Sequence, residues 1–479
     1  MWPISLWVVA LVVVISTHWV YKWRNPKCNG NLPPGSMGWP LVGETIQFFT
    51  TDRTSGVPTF IKQRMERYGS IFKTSLVGVQ VIVSTDSDLN SLVFKKEDEV
   101  FQSWWPNSMT EVFGRTNLST LYGGLHKFTK NMVLNQFGPE RLKQMLSEIE
   151  SVSKIHLARW AQKGTVEVKT AASDMILSFA AKKLISHDLD KSLENMRENF
   201  EAFITGLISF PIAIPGTAYY KCLQGRKKVM KMLNNMLEER RRNPNNVSND
   251  YFDYVIEELK QDDTLLTEAI ALDLMFLLLF ASYETTSMTT TVAIKLLMDN
   301  PKALKELTEE QDKIVKARAN PDSGLTWEEY KSMTFMFQVI NESVRLANIV
   351  PAIFRKIIKD FTFKDYTIPS GWVIMISPPA TYLNPDTYKD PLEFNPWRWE
   401  GMGIKGASKD FMAFGGGQRF CVGADFARLE MAVTLHNLVT KYRWKLIKGG
   451  EMIRTPGLHF PNGLHVHFSK KNEDNQISN

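Results

Sequence analysis

The 479-residue chain is 44% hydrophobic, long enough for a large buried core, and no repeat or low-complexity tract divides it after its N-terminal segment. Its 57 basic and 51 acidic residues are interspersed, and basic runs such as Arg226-Lys227-Lys228 and Arg240-Arg241-Arg242 are short, so the formal charge of +6 gives no footprint for nucleic acid. Three widely spaced cysteines, Cys28, Cys222 and Cys421, exclude a disulfide framework and a CxxC metal site and point to a reducing compartment around the body.

From Met1 to Val20 no side chain is charged at neutral pH, and twenty helical residues span about 30 Å, the thickness of a bilayer's hydrocarbon core. A transmembrane signal-anchor helix is expected over 1–21. A cleaved signal peptide would carry its positive charge before the apolar run; here Lys22, Arg24 and Lys27 follow it, which places the rest of the chain in the cytosol. Residues 22–43 form a basic, proline-rich hinge, Leu32-Pro33-Pro34-Gly35-Ser36-Met37-Gly38-Trp39-Pro40 at its centre, expected as a stiff non-helical connector or a plain loop. A single catalytic body is expected over 44–468, with a polar tail over 469–479.

Leu265 to Met298 is too long and continuous for a strand and apolar around most of its circumference, which predicts a long helix through the core. Within it, Ala281-Ser282-Tyr283-Glu284-Thr285-Thr286 sets an acid and two hydroxyls among apolar neighbours, where an ionisable group needs a partner or a purpose. A carboxylate beside a hydroxyl can relay protons, although helical threonines also simply bond the preceding turn. Glu342 and Arg345, three apart, share one helix face.

Phe411 to Gly423 reads FMAFGGGQRFCVG, three glycines and a basic residue leading to a lone cysteine at the start of a helix-like run. Glycines allow tight turning and close approach to a flat cofactor, and a helix start favours a thiolate; without that context a lone cysteine is a small buried apolar residue.

Phe414, Gly417, Arg419, Cys421 and Gly423 spell Phe-x-x-Gly-x-Arg-x-Cys-x-Gly, which resembles the haem-binding loop of the cytochrome P450 superfamily. The resemblance implies a mainly α fold with small β-sheets (α+β), the cytochrome P450 fold, preceded by one N-terminal transmembrane helix. It implies haem b held by the Cys421 thiolate, an axial ligand that favours O–O cleavage. Phe414 would lie against the cysteine, and Arg419 and Arg355 would reach the haem propionates. His126 and Lys130 stand where the family usually has tryptophan and arginine. By the same resemblance Glu284 and Thr285 are the proton relay, with Ser282 where glycine is usual. Phe394-Asn395-Pro396-Trp397-Arg398-Trp399 resembles the segment whose arginine joins Glu342 and Arg345 in a buried network, and Tyr382 stands where many relatives have histidine.

Phe203 to Thr217, Leu325 to Met333 and Gln102 to Pro106 make the chain similar to plant cytochrome P450 family 87, subfamily A, of the group that oxidises sterols, brassinosteroids and triterpenoids. Trp104, Trp105, Phe203, Ile204, Leu207 and Ile208 would roof the substrate pocket, beside Ala281, Val350 and Ile353. The implied reaction is hydroxylation of a sterol side chain, carried on to cleavage and release of a pregnane such as pregnenolone; a triterpene or brassinosteroid-type substrate is the alternative. No G-x-G-x-x-G nucleotide loop follows a strand, so NADPH electrons would come through NADPH-cytochrome P450 reductase in the endoplasmic reticulum membrane, docked near Lys405, Lys409 and Arg428. A haem-thiolate isomerase needing no reductase and a non-catalytic membrane haem- or sterol-binding protein compete with this reading.

Overall fold

The computed structural model describes residues 2–50, 56–186, 200, 202–207, 209–245, 247–403, 410–455 and 457–471, without the side chains of 2–5 and 455. The expected anchor forms the helix Trp2–Arg24, whose described side chains lie almost entirely outside the packed body, and it is long and apolar enough to cross a membrane. The hinge is no free spacer. Trp23 Nε1 donates to Met37 O at 3.2 Å, Lys73 N to Pro34 O at 2.8 Å and Lys73 Nζ to Pro33 O at 2.9 Å, so the proline segment is docked on the strand Ile71–Leu76. At Gly35 (φ +147) a Cβ would stand 2.0 Å from Lys73 O, which explains a glycine there.

Five strands make the principal sheet. Ile71–Leu76 and Val79–Ser84 form a hairpin, the latter pairs parallel with Val373–Ile376, and Ile353–Ile357 carries the order out to Phe101–Ser103. A three-stranded sheet has Leu464–Lys470 as its central strand, so regular structure runs two residues into the expected polar tail.

The rest is mainly helical and surrounds the core helix Glu268–Asp299, capped by the Thr267 side chain on Ile270 N. This helix also has the length and hydropathy of a membrane span, but 61% of its apolar window is buried in protein, so its hydrophobicity serves packing. Val168–Ile185 packs along it, locked by Ser173 Oγ to Ser287 Oγ at 3.0 Å. Thr289, Thr290 and Thr291 donate to the carbonyls of Thr285, Thr286 and Ser287 at 2.7–2.8 Å, the bland use of helical threonines that the sequence allowed.

The helix after the cysteine, Ala424–Lys441, is buried along nearly its whole length and carries an unpaired acid. Burial pushes the Glu430 carboxyl up to about 8, and its Oε1 has no hydrogen-bond partner among the described residues. A carboxyl raised in the folded state keeps its stability below the ordinary value of 4.5 and loses it as pH climbs towards 8, roughly 3 kcal/mol by neutral pH. Glu430→Gln is therefore expected to raise the melting temperature by several degrees in scans near pH 8, with the gain vanishing as pH falls towards 5.

Candidate active site

The cysteine loop is shaped by its glycines. Gly417 has φ +57, and a Cβ there would come within 2.3 Å of Phe94 O; one at Gly416 would touch the Phe94 ring at 3.1 Å. These two glycines let the loop close on the helix Ser87–Lys95. Cys421 N donates to Phe414 O at 2.8 Å, closing the turn, and Lys130 Nζ holds its middle through Gln418 O at 2.6 Å.

Cys421 opens onto a cavity of about 430 Å³, within the roughly 300–1,000 Å³ typical of small-molecule sites. Among the three cysteines it alone lines this space: Cys222 is buried in the helical core and Cys28 lies in the hinge. A Cβ at Gly423 would find only the Cys421 Sγ, at 4.0 Å, so the position beside the thiol is open. Burial raises the Cys421 thiol above its ordinary value, outweighing the Gly423 N–H, Arg428 and Lys130, which all lower it. A bound iron would favour the thiolate at this position.

The core helix presents Ala281, Ser282, Thr285, Thr286 and Thr289 to the same cavity. Thr285 Oγ1 donates to Ala281 O at 3.2 Å and Ser282 Oγ to Leu279 O at 3.1 Å, long bonds that are easily exchanged. Glu284 is absent from the cavity wall. Its carboxylate is held by Lys169 Nζ at 2.5 Å, a partner from the adjacent helix that no sequence signal announces across 115 positions.

On the far edge, Arg355, Arg419, His126 and Lys130 all line the cavity. Arg355 Nε donates to Glu97 at 2.6 Å and Arg419 Nε at 2.9 Å, so a carboxylate that sequence reasoning missed sits between the two arginines. Arg419 Nη2 is buried without a hydrogen-bond partner among the described residues. Burial, with Arg419 and Lys130 adding to it, drives His126 down to about 4, so near neutral pH it is an uncharged hydrogen-bonding group rather than a cation. These features fit haem: an open thiol, an unpaired guanidinium nitrogen on the cavity edge, and a cationic rim for two carboxylates.

Glu342, Arg345 and Arg398 converge. Arg345 grips Glu342 through Nε and Nη2, both at 2.8 Å, and is itself fully buried; Arg398 Nε reaches the same carboxylate at 3.0 Å and Trp399 Nε1 at 2.9 Å. Arg345 Nη1 continues to Tyr382 O at 2.7 Å, tying the network to the buried Tyr382 on the cavity wall. Glu342→Ala would leave two arginines with an uncompensated buried charge and is expected to cost about 3–5 kcal/mol. Haem-replete protein yield and thermal scans check this, and a variant of wild-type stability would contradict it.

Other expected contacts are not brought together. Trp105, Ala281, Val350 and Ile353 line the cavity, whereas Trp104, Phe203, Ile204 and Leu207 do not. Trp104 packs on Phe354 at 6.0 Å, and Phe203 is enclosed by Phe113, Phe276 and Phe280, the last at 4.6 Å. Ile204 and Leu207 pack against the helical core. Arg428 is 2% exposed with its guanidinium 4.3 Å from the Phe414 ring, so it cannot form a docking surface. Ile208, Lys405 and Lys409 lie outside the described residues.

A helical body with a single cysteine beneath an apolar cavity, faced by helical hydroxyls and edged by arginines, defines a haem-thiolate oxygenase. The sequence profile described as Cytochrome P450 matches residues 33–467, and the chain belongs to the cytochrome P450 family. It is 53% identical to Cytochrome P450 87A3 of Oryza sativa subsp. japonica over 95% of this chain and 89% of that one. It is 40% identical to a beta-amyrin 16-alpha-hydroxylase of Maesa lanceolata (99% and 100% covered) and 35% identical to a cholesterol 16,22-dihydroxylase of Trigonella foenum-graecum (98% and 98%). Among solved structures, retinoic acid bound cyanobacterial CYP120A1 superposes with a TM-score of 0.82 at 29% identity, covering 92% of this chain and all of that one. The chain is thus a monooxygenase that uses haem-thiolate iron and NADPH-derived electrons delivered by a reductase.

Proposed function

We propose that the chain hydroxylates the side chain of a sterol at the cytosolic face of the endoplasmic reticulum, fed by NADPH-cytochrome P450 reductase, and repeats the reaction until a C–C bond breaks and a pregnane such as pregnenolone leaves. The observation that carries this reading is one cavity shared by Cys421 and Thr285, whose remaining wall is largely apolar: Trp105, Leu277, Leu278, Ile349, Val350 and Ile353. Such a wall binds a rigid hydrocarbon by excluding water and orients it with few polar contacts. A relative that dihydroxylates cholesterol supports the sterol and the repeated rounds; one that hydroxylates beta-amyrin supports a second reading, a triterpene hydroxylase.

Bound haem, held by Cys421 and by Arg355, Arg419 and Lys130 at its carboxylate edge, supplies the splitting of dioxygen and the insertion of one oxygen atom into a C–H bond. Each hydroxylation consumes one dioxygen, two electrons and two protons and yields one hydroxyl and one water; cleavage of the resulting vicinal diol would take a further dioxygen, two electrons and two protons and yield the pregnane ketone, an aldehyde from the lost side chain and two waters. Thr285 presents its hydroxyl to the cavity and passes protons inward, and Glu284, on the next position of the helix, replenishes them from the Lys169 side. The apolar wall keeps other water from draining them.

The test is expression in membranes with a plant reductase and NADPH, with cholesterol, campesterol, sitosterol and beta-amyrin supplied and products identified by mass spectrometry. A truncated steroid is expected. Hydroxysterols alone would remove the cleavage, and product from beta-amyrin alone would replace the sterol with a triterpene.

A further inference from the structure

The two arginines at the cavity edge do not stand alone. Glu97, with a side chain only 1% exposed, gives one oxygen to each: Oε2 accepts Arg355 Nε at 2.6 Å and Oε1 accepts Arg419 Nε at 2.9 Å. Oε1 also accepts Ser103 N at 3.0 Å, so the carboxylate is fixed by backbone as well as by charge. Both guanidiniums are engaged through Nε, which leaves their Nη nitrogens directed elsewhere. Arg355 Nη1 turns back to Phe354 O at 2.8 Å, while Arg419 Nη1 makes only a long contact to Leu118 O at 3.4 Å and Nη2 has no partner among the described residues.

Two buried cations this close repel, and each carries enough rotamer freedom to splay away from the other. A carboxylate shared between them offsets the repulsion and selects one rotamer for each. We infer that Glu97 is a positioning residue for the haem: it holds Arg355 and Arg419 by their Nε atoms so that the free edge of Arg419 meets a propionate, and it adds a fixed negative charge to that side of the cofactor. The inference rests on the haem reading of the site. It differs from a plain structural ion pair because the charge acts on the cofactor and not only on the loop joining Lys96 to Ser103.

The experiment uses the full-length holoenzyme with Glu97→Gln and Glu97→Asp. Haem transfer to an excess of apomyoglobin gives the loss rate, and a spectroelectrochemical titration gives the midpoint potential. Glu97→Gln removes the charge and can accept from only one arginine; it is expected to lose haem at least about tenfold faster, the usual size of a lost charge-assisted hydrogen bond. Its midpoint potential is expected to rise, because a buried anion that opposed electron uptake is gone. Glu97→Asp keeps the charge with a shorter reach, so faster haem loss is expected with the potential close to wild type; it also answers the question if the Gln variant does not fold. Lower thermal stability with unchanged haem loss and potential in either variant would make Glu97 a structural ion pair and overturn the inference. A wild-type chain that takes up no haem would instead overturn the haem reading itself.

Discussion

Cys421→Ala is expected to remove the carbon-monoxide difference band of a haem thiolate and to bring product formation down to that of membranes without the chain. The thiol of Cys421 lies between opposing influences. Burial raises it, the nearby Gly423 N–H, Arg428 and Lys130 lower it, and a bound iron would favour the anion. The thiolate and the iron therefore stabilise each other, and removing the sulfur removes both the anchor and the electron donation that favours O–O cleavage. The cavity rim survives the substitution, since Arg355, Arg419 and Lys130 are held by Glu97 and the Gln418 carbonyl and not by the thiol. Some haem is expected to remain, loosely and without the thiolate spectrum. Retention of the carbon-monoxide band or of product formation in this variant would refute Cys421 as the ligand.

How much of this was legible depends on whether a residue's role is local. The cysteine loop, the core helix and the Glu342–Arg345 pair are spelled within a few positions each; the structure places the first two on the cavity and ties the third to its wall through Tyr382 O. Glu97 and Lys169 were illegible because their partners lie 258 and 115 positions away, and a lone charged residue in sequence carries no sign of being buried. Substrate-wall residues failed for a different reason. Phe203 and Trp104 are large and apolar, which decides that they are buried but not which neighbour buries them; Phe203 went to a cluster of rings and Trp104 to the sheet side. Arg428 failed in the opposite sense, a charge read as surface that the fold lays over the Phe414 ring.

Substitutions in the proposed relay are expected to separate oxygen use from product. Thr285→Ala removes the one hydroxyl of the Glu284–Thr285 pair that lines the cavity, and Glu284→Gln removes an acid held outside it by Lys169. Positioned general acids contribute about 10²–10⁴-fold, so each variant is expected to lose at least about a hundredfold in product formation. The two losses differ in kind. Without the Thr285 hydroxyl, water is expected to enter that part of the cavity and reduced oxygen to escape as hydrogen peroxide, so NADPH consumption should continue while product per NADPH falls. Without the Glu284 carboxylate, proton supply itself is slow, so NADPH consumption and product fall together and the solvent deuterium isotope effect grows. Ser282, whose hydroxyl donates at 3.1 Å to Leu279 O, already brings a second polar side chain to the cavity wall. Measuring product, NADPH and hydrogen peroxide together for both variants decides the matter: normal coupling in Thr285→Ala, or an unchanged isotope effect in Glu284→Gln, would remove the corresponding residue from the relay.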